Sequence, residues 1–160
     1  MEKSILFISG RISEIEVNAL NREFQNDEYD ILKYEAKAAA ISGIHDIVSL
    51  VFQDFRLLSF VRDYMLVKIL EGTWNRLIPI VNHLKNKRKV VDFLSMSVEY
   101  QKQDGTTLYI TFHTQVEKFG ILIKEVYNNL APDYFEGIKG GINVSITLDS
   151  EDRLTITVFP

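Results

Sequence analysis

Cysteine is absent from all 160 residues of the chain, which excludes disulfides, thiol nucleophiles and thiolate metal sites. This absence suits a reducing compartment. There are only 3 prolines. No linker rich in glycine, serine or proline divides the sequence, so we expect residues 1–160 to form a single domain. At this length a fold buries roughly 70% of the surface that its unfolded chain exposes, so the core needs no disulfide or metal for support.

An excess of charge of one sign is also lacking, because 18 basic residues stand against 22 acidic ones and the net charge is −4. A weakly acidic chain is not expected to attract nucleic acid in general. The longest apolar stretch, residues 36–70, carries Asp46, Asp54, Arg56 and Arg62. Each such charge costs about 2.5–3.5 kcal/mol at bilayer depth, so we expect no membrane span. The first ten residues have too short an apolar core for a secretory leader, and we expect a cytoplasmic location.

Chemical motifs are equally scarce. The histidines are His45, His83 and His113, and no pair of them has the HxxxH or HExxH spacing of a metal site. The glycine-rich fingerprints of dinucleotide and phosphate binding are missing. We therefore expect no cofactor, no metal and no catalytic residues, and we give the histidines structural roles. The acidic run 149–152 lacks the spacing and glycine of a calcium loop and is interpreted as a solvated turn.

The stretch 36–70 has the strongest apolar periodicity in the chain. Residues at spacings of three and four predict one face of a helix: Ile41, Ile44, Val48, Val51, Phe55 and Leu58. The pattern continues to Ile69, and Gly72 then stands where a left-handed helix cap is usual. Because one helix of this length is unusual, we favour two helices over one. We expect Val51, Phe55 and Leu58 to be buried against the sheet.

The N-terminal residues predict a small strand–helix–strand unit. Residues 4–9 form an apolar run typical of a buried strand. Ser13 and Glu16 have the spacing of a capping box, which marks the start of a helix. Residues 29–35 predict a second strand, and this order of elements favours a parallel pair.

Beyond Gly72 the sequence predicts a further helix with an irregularity. Trp74, Leu77, Val81 and Leu84 have helical spacing, and Thr73 precedes them as a possible cap. Pro79 falls inside this pattern, so the helix either kinks there or begins nearby.

The periodicity then changes to two and predicts two hairpins around a helix. Residues 94–101 and 108–113 alternate on either side of Gln103-Asp104-Gly105. A three-residue loop pairs Tyr100 with Leu108 and keeps both apolar sets on one face, whereas a two-residue loop would separate them. Residues 116–130 predict a helix, and residues 142–148 and 154–158 predict the second hairpin. These elements together predict a two-layer α+β fold. Its mainly antiparallel sheet comes from the two C-terminal hairpins and packs on helices, beside the small N-terminal unit.

The leading functional hypothesis is a non-catalytic protein-interaction module that uses the polar sheet face or a sheet edge. Aromatic side chains among polar ones are typical of interface centres. This pattern selects Tyr109, Thr155, Thr157 and Phe159 as interaction residues, with a protein partner or self-association expected.

Two alternatives remain open. The first is a small-molecule or nucleotide-binding domain, which could also be an enzyme. Its site would use backbone amides and cations near two glycine turns: Ser9, Gly10, Arg11, Lys139, Gly140 and Gly141. Binding of nucleic acid would use the basic run from Lys85 to Lys89.

Overall fold

The computed structural model describes residues 4–24, 29–33, 47–59, 63–131 and 133–160. Its α-helices and strands, in chain order, are β1 (Ser4–Gly10), α1 (Glu14–Glu23), β2 (Tyr29–Lys33), β3 (Ile47–Ser59), α2 (Asp63–Asn86), β4 (Val90–Gln101), β5 (Thr107–Gln115), α3 (Phe119–Asn129), β6 (Asn143–Leu148) and β7 (Leu154–Phe159). Two short 3₁₀ turns, Val116–Lys118 and Tyr134–Gly137, lie before and after α3.

The strands form a 7-stranded sheet in the order β2-β1-β3-β4-β5-β6-β7. Antiparallel neighbours are β1 with β3, β4 with β5, and β6 with β7. Parallel neighbours are β1 with β2, β3 with β4, and β5 with β6. With helices packed on this sheet, the predicted α+β class is confirmed.

The N-terminal unit follows the sequence pattern. The Ser13 hydroxyl accepts a hydrogen bond from the Glu16 amide at 3.1 Å, and the Glu16 carboxylate accepts one from the Ser13 amide at 3.4 Å. These reciprocal bonds satisfy two amides at the start of α1 and fix where the helix begins. Strands β1 and β2 are parallel, as predicted, with Leu6 opposite Ile31.

The helix predicted across residues 36–70 is wrong for much of its length, because Ile47–Ser59 is the strand β3. This strand lies inside the sheet between β1 and β4. Val48, Leu50 and Phe52 are buried on its helix side, whereas Val51 lies on the other face opposite Phe7 and Ser95. The expected burial of Val51 in the helix-side core is therefore also wrong. Residues 36–46 and the side chains of Phe55 and Leu58 lie outside the described part.

The two helical segments predicted around Gly72 form one helix, α2, of 24 residues. Gly72 is in its interior, so it does not cap a helix end, and Thr73 is buried within the helix instead of starting it. The buried positions Leu70, Leu77 and Leu84 have a seven-residue spacing, which keeps one face of the helix on the sheet. Pro79 lies on the exposed side, where water can bond the carbonyl that loses its partner.

Both predicted C-terminal hairpins are present, and the first has the predicted register. Tyr100 opposes Leu108, and the Lys102 amide donates to the Thr106 carbonyl at 2.8 Å across a three-residue loop. Gly105 has a φ of 87°, as the three-residue loop requires. In the second hairpin Val144 opposes Val158 and Ile146 opposes Ile156.

The described helices all pack on one side of the sheet. Strands β3 and β4 are parallel and joined through α2, and β5 and β6 are parallel and joined through α3. Strands β3 and β4 run opposite to strands β5 and β6. Both connections nevertheless move in the same direction across the sheet, towards β7. Two right-handed connections would therefore place α2 and α3 on opposite faces. Instead the rings of Trp74 and Phe119 lie 5.3 Å apart, so both helices share one face and the connections have opposite hands.

Helix α1 lies on the same side, because Phe24 at its end contacts the His83 ring of α2 at 5.6 Å. The core lies between the three helices and the sheet, and its largest fully buried side chains include Phe52, Phe112 and Phe119. We call the opposite surface of the sheet, which no described helix covers, the open face.

Candidate functional site

The open face is built from alternate residues of the strands. Across β4 to β7 its side chains include Phe93, Ser95, Ser97, Glu99, Gln101, Thr107, Tyr109, Thr111, His113, Gln115, Asn143, Ser145, Thr147, Thr155, Thr157 and Phe159. Glu99 is the only formally charged group in this set apart from a protonated His113. Asp149 and Arg153 follow on the same face just beyond β6 and before β7, and they form an ion pair at 3.1 Å. Towards β1 and β3 the face becomes apolar, with Ile5, Phe7 and Val51. A sheet surface with so little charge differs from an ordinary solvated face, where mixed charges are common.

The four predicted interaction residues lie together on this face. Tyr109 and Phe159 flank Asn143 in one row across β5, β6 and β7, and their exposed fractions are 47% and 49%. Thr157 and Thr155 occupy the next rows of β7, opposite Ser145 and Thr147. The outer half of the open face therefore carries two exposed aromatic rings beside hydroxyl groups.

A shallow depression of about 270 Å³ adjoins Tyr109 on this face. Gln53, Ser97, Glu99, Thr111 and Asn143 also line it. A second depression, of about 250 Å³, lies nearer to His113 and Lys118. Small-molecule pockets are usually enclosed and measure roughly 300–1,000 Å³. Neither depression reaches that range, so this geometry favours a broad contact surface over a small-molecule pocket.

One side-chain pair on the open face was missed by sequence reasoning. The Ser95 hydroxyl is in hydrogen-bond contact with Nδ1 of His113, and the His113 ring stacks on Phe93 at 5.1 Å. The register predicted from Tyr100 and Leu108 already places Ser95 opposite His113, so the signal was present. Among the described contacts of this cluster no carboxylate orients the imidazole, as a nucleophile–base pair would require. The contacts support a structural role for the pair.

Burial lowers the pKa of His113. Because the unfolded chain takes up its proton near a pKa of about 6.5, it binds more protons than the folded state just below that pH. Stability contributed by the neutral ring is therefore complete above that pH and is lost as the pH falls. We expect the free energy of unfolding to drop between about pH 7.5 and pH 5.5, a range that lies above the pH at which carboxylates ordinarily titrate. In His113→Gln this drop should be smaller. Denaturant titrations at both pH values test this, and equal drops would contradict it.

At the first predicted ligand site, the turn at Gly10 and Arg11, backbone groups bond to other parts of the protein. Gly10 has a φ of 106°, and a Cβ there would lie 2.2 Å from the Ile47 carbonyl oxygen. The Arg11 amide donates to that same oxygen at 3.0 Å. Lys89 donates to the Arg11 carbonyl at 2.7 Å and pairs with Glu16 at 3.3 Å. Gly10 therefore allows β1 and β3 to approach closely, and Ser9 lies beside it in β1 opposite Ser49.

The second predicted ligand site also serves packing. A Cβ on Gly140 would lie 2.1 Å from the Thr106 hydroxyl oxygen, and the Gly141 amide donates to the Thr107 carbonyl at 2.7 Å. Lys139 beside them is exposed. These residues lie at the end of the strands opposite to Gly10, roughly 30 Å away at about 3.3 Å per residue along β4. The structure thus does not bring the two glycine turns together into one site.

The basic run has one cation that bonds within the protein and three that are exposed. Lys89 bonds to α1 as described above, while Lys85, Lys87 and Arg88 are exposed at the end of α2. Arg88 has a φ of 63° and donates its amide to the Lys85 carbonyl, which closes the helix end. Part of the run therefore serves as a helix cap, and the exposed remainder is a small patch.

The two edges of the sheet differ in composition. Edge strand β2 carries Asp30 and Lys33, whereas edge strand β7 has no charged residue and no proline. Charges, prolines and bulges are the usual features that prevent an edge strand from pairing with another chain. Among the described strands, β7 is therefore the edge best suited to accept a further strand.

Hydrogen bonding identifies which backbone groups of β7 point outward. The Asp149 amide donates to the Arg153 carbonyl at 2.8 Å, so this opposed pair is of the hydrogen-bonded kind. Such pairs alternate along an antiparallel ladder. The amides and carbonyls of Thr155, Thr157 and Phe159 therefore bond to β6. Those of Leu154, Ile156 and Val158 point to the outer edge.

Within the described part of the chain, no group of three or more potential ligands is placed to hold a metal ion. The described helices include none with the length and apolarity needed to cross a membrane. Comparison of the chain with models of protein families, with curated proteins and with solved structures found no match.

Proposed function

We propose that this protein is a non-catalytic interaction module that binds a protein partner through the open face and the β7 edge. The observation that carries this proposal is the row of Tyr109, Asn143 and Phe159. It places two half-exposed aromatic rings on a nearly uncharged sheet surface next to an unprotected edge. Depletion of charge and enrichment of aromatic rings distinguish interface cores from the rest of a protein surface.

Aromatic rings are the side chains on which binding energy concentrates in interfaces. Tyr109 and Phe159 each offer a large apolar area with few rotatable bonds, so that little conformational entropy is lost when they are covered. The Ser and Thr hydroxyls around them can bond to polar groups of a partner. The proposed location of this interaction is the cytoplasm, because a chain without cysteine needs no oxidising compartment to fold.

Native mass spectrometry of the freshly purified full chain tests the proposal. We expect a bound protein chain, either a second copy or another protein. Tyr109→Glu should release a partner held on the open face, because a buried unpaired carboxylate opposes association. Phe159→Ala should weaken its binding, because it deletes an exposed ring. Tyr127→Glu is the matched control, since Tyr127 is 62% exposed on α3 in the helix layer. Circular dichroism checks that all three variants remain folded.

Three results would contradict the proposal. One is a monomer that binds a small molecule saturably, which would favour the ligand-site alternative. Another is a partner that Tyr109→Glu and Phe159→Ala both retain as tightly as the native chain does. The third is a bound nucleic acid that high salt releases, as phosphate contacts would predict for the patch of Lys85, Lys87 and Arg88.

A further inference from the structure

We infer that the partner at the β7 edge is a second copy of this chain, and that the two β7 strands pair antiparallel about a two-fold axis at Ile156. This inference rests on the proposed function and names the partner. An axis perpendicular to the sheet joins the two sheets edge to edge and keeps both helix layers on one side. The contact is isologous, so the same strand supplies both halves.

The outward backbone groups select the register. Leu154, Ile156 and Val158 point their amides and carbonyls to the edge. If Ile156 opposes its symmetry mate, Leu154 opposes the Val158 of the second copy, and every outward amide and carbonyl gains a partner. A shift by two residues that centres the axis on Thr157 leaves the Leu154 groups opposite Pro160, which has no amide hydrogen. The register centred on Ile156 therefore satisfies more backbone groups than this shifted register does.

The side chains on the helix side fit the same register. Val158 is 42% exposed, although it lies on the face that is buried elsewhere in the sheet. In the paired edge it lies opposite the half-buried Leu154 of the second copy. The apolar row of Leu154, Ile156 and Val158 then becomes continuous across the axis, and Val158 loses its contact with water.

The open face gains a complementary contact as well. In this register Arg153 lies opposite the Phe159 of the second copy. The Arg153 side chain is 68% exposed, and Phe159 is 49% exposed. The Arg153 guanidinium pairs along its edge with Asp149 and Glu151 of its own chain, at 3.1 and 3.0 Å. Its flat face can still pack on the Phe159 ring of the second copy as a cation–π pair, and Thr155 opposes the Thr157 of the second copy beside it. The strand is thus complementary to itself on both faces and along its backbone.

Light scattering and sedimentation of the full chain over a range of concentrations test the pairing. We expect a dimer for the native sequence. Val158→Pro removes an amide that points away from β6, so the fold should persist while two edge hydrogen bonds are lost by symmetry. Val158→Lys places a charge at the edge. Each should raise the dimer dissociation constant by about tenfold or more, because the proline variant loses two hydrogen bonds and the lysine variant places a charge in each half of the paired edge. Ile15→Lys is the control, because Ile15 is 78% exposed on α1 beside the opposite edge.

Single cysteines report the register, because the chain has no cysteine of its own. Opposed residues in a hydrogen-bonded antiparallel pair have Cα atoms about 5.5 Å apart, which a disulfide can span. Oxidised Ile156→Cys should therefore run as a covalent dimer on a non-reducing gel. Thr157→Cys should not form a covalent dimer, because Thr157 opposes the Thr155 of the second copy and the two Thr157 positions are offset along the strands. Cross-linking at Thr157 alone would overturn the register.

A native chain that stays monomeric at every concentration would overturn the inference, as would a dimer unaffected by both Val158 variants. The Tyr109→Glu variant distinguishes this inference from the proposed function, because Tyr109 lies on β5, two strands away from β7. If the chain is a monomer that holds another protein until Tyr109→Glu releases it, the function stands and the pairing is wrong. If the β7 dimer forms in Tyr109→Glu and nothing else binds, the pairing stands and the open face is not a binding surface.

Discussion

Replacement of Phe112 by alanine should lower the free energy of unfolding by about 3–5 kcal/mol, because it deletes a fully buried ring and leaves a cavity. Phe112 has no exposed surface and lies at the centre of the sheet, opposite Met96 of β4 and Ile146 of β6. Those neighbours belong to strands held in ladders on both sides, so they cannot move far to fill the space. The cost should therefore approach the upper part of this range.

Urea or guanidinium titration followed by circular dichroism measures the change. Phe93→Ala is the matched control, because Phe93 is 37% exposed on the open face and contacts the His113 ring. Its loss should cost about 1 kcal/mol, the value of an exposed aromatic contact. Equal losses at the two positions would mean that the helix side of the sheet is not the main core.

The sequence predicted both C-terminal hairpins from their alternation, and the first hairpin carries a second, independent signal in its loop. Alternation fixes which residues share a face, and the loop residues fix how the strands pair. For the first hairpin these agree only when Tyr100 opposes Leu108. That register then places Ser95 opposite His113, so the side-chain pair on the open face was contained in a prediction already made.

The central stretch was predicted wrongly because its apolar residues fit both periods. Val48, Leu50 and Phe52 alternate as in a strand, while Val48, Val51 and Phe55 have helical spacing. A short apolar run of this kind becomes a strand when neighbouring strands supply hydrogen bonds on both sides, as β1 and β4 do for β3. This long-range pairing cannot be derived from local spacing.

The location of the candidate site was only partly predictable for the same reason. Tyr109 and Phe159 were assigned to one face from their own hairpins. Their placement in one row depends on the parallel pairing of β5 with β6, which joins the hairpins. That no described helix covers the open face depends further on α2 and α3 sharing one side, against the usual hand of one connection. Local patterns do not determine that choice.

Gly10→Ala should destabilise the protein by about 3 kcal/mol or more, because two penalties act at one residue. The φ of 106° is a conformation that residues with a Cβ rarely adopt. The added carbon would also lie 2.2 Å from the Ile47 carbonyl oxygen. That oxygen accepts the Arg11 amide at 3.0 Å, so moving it away breaks a bond between β3 and the turn after β1.

Glycine-to-alanine changes at two other positions distinguish backbone strain from the clash with the Ile47 carbonyl oxygen. Gly105→Ala meets a φ of 87° with nothing within 4 Å of the new carbon, and should cost about 1–2 kcal/mol from backbone strain alone. Gly72→Ala lies inside α2 with open space around it, and should stabilise by about 0.5–1 kcal/mol because alanine favours a helix. Chemical denaturation of the three variants should therefore give losses at Gly10 and Gly105 and a gain at Gly72. A loss at Gly10 no greater than that at Gly105 would show that the Ile47 carbonyl can move aside, and that Gly10 is not required for the close approach of β1 and β3.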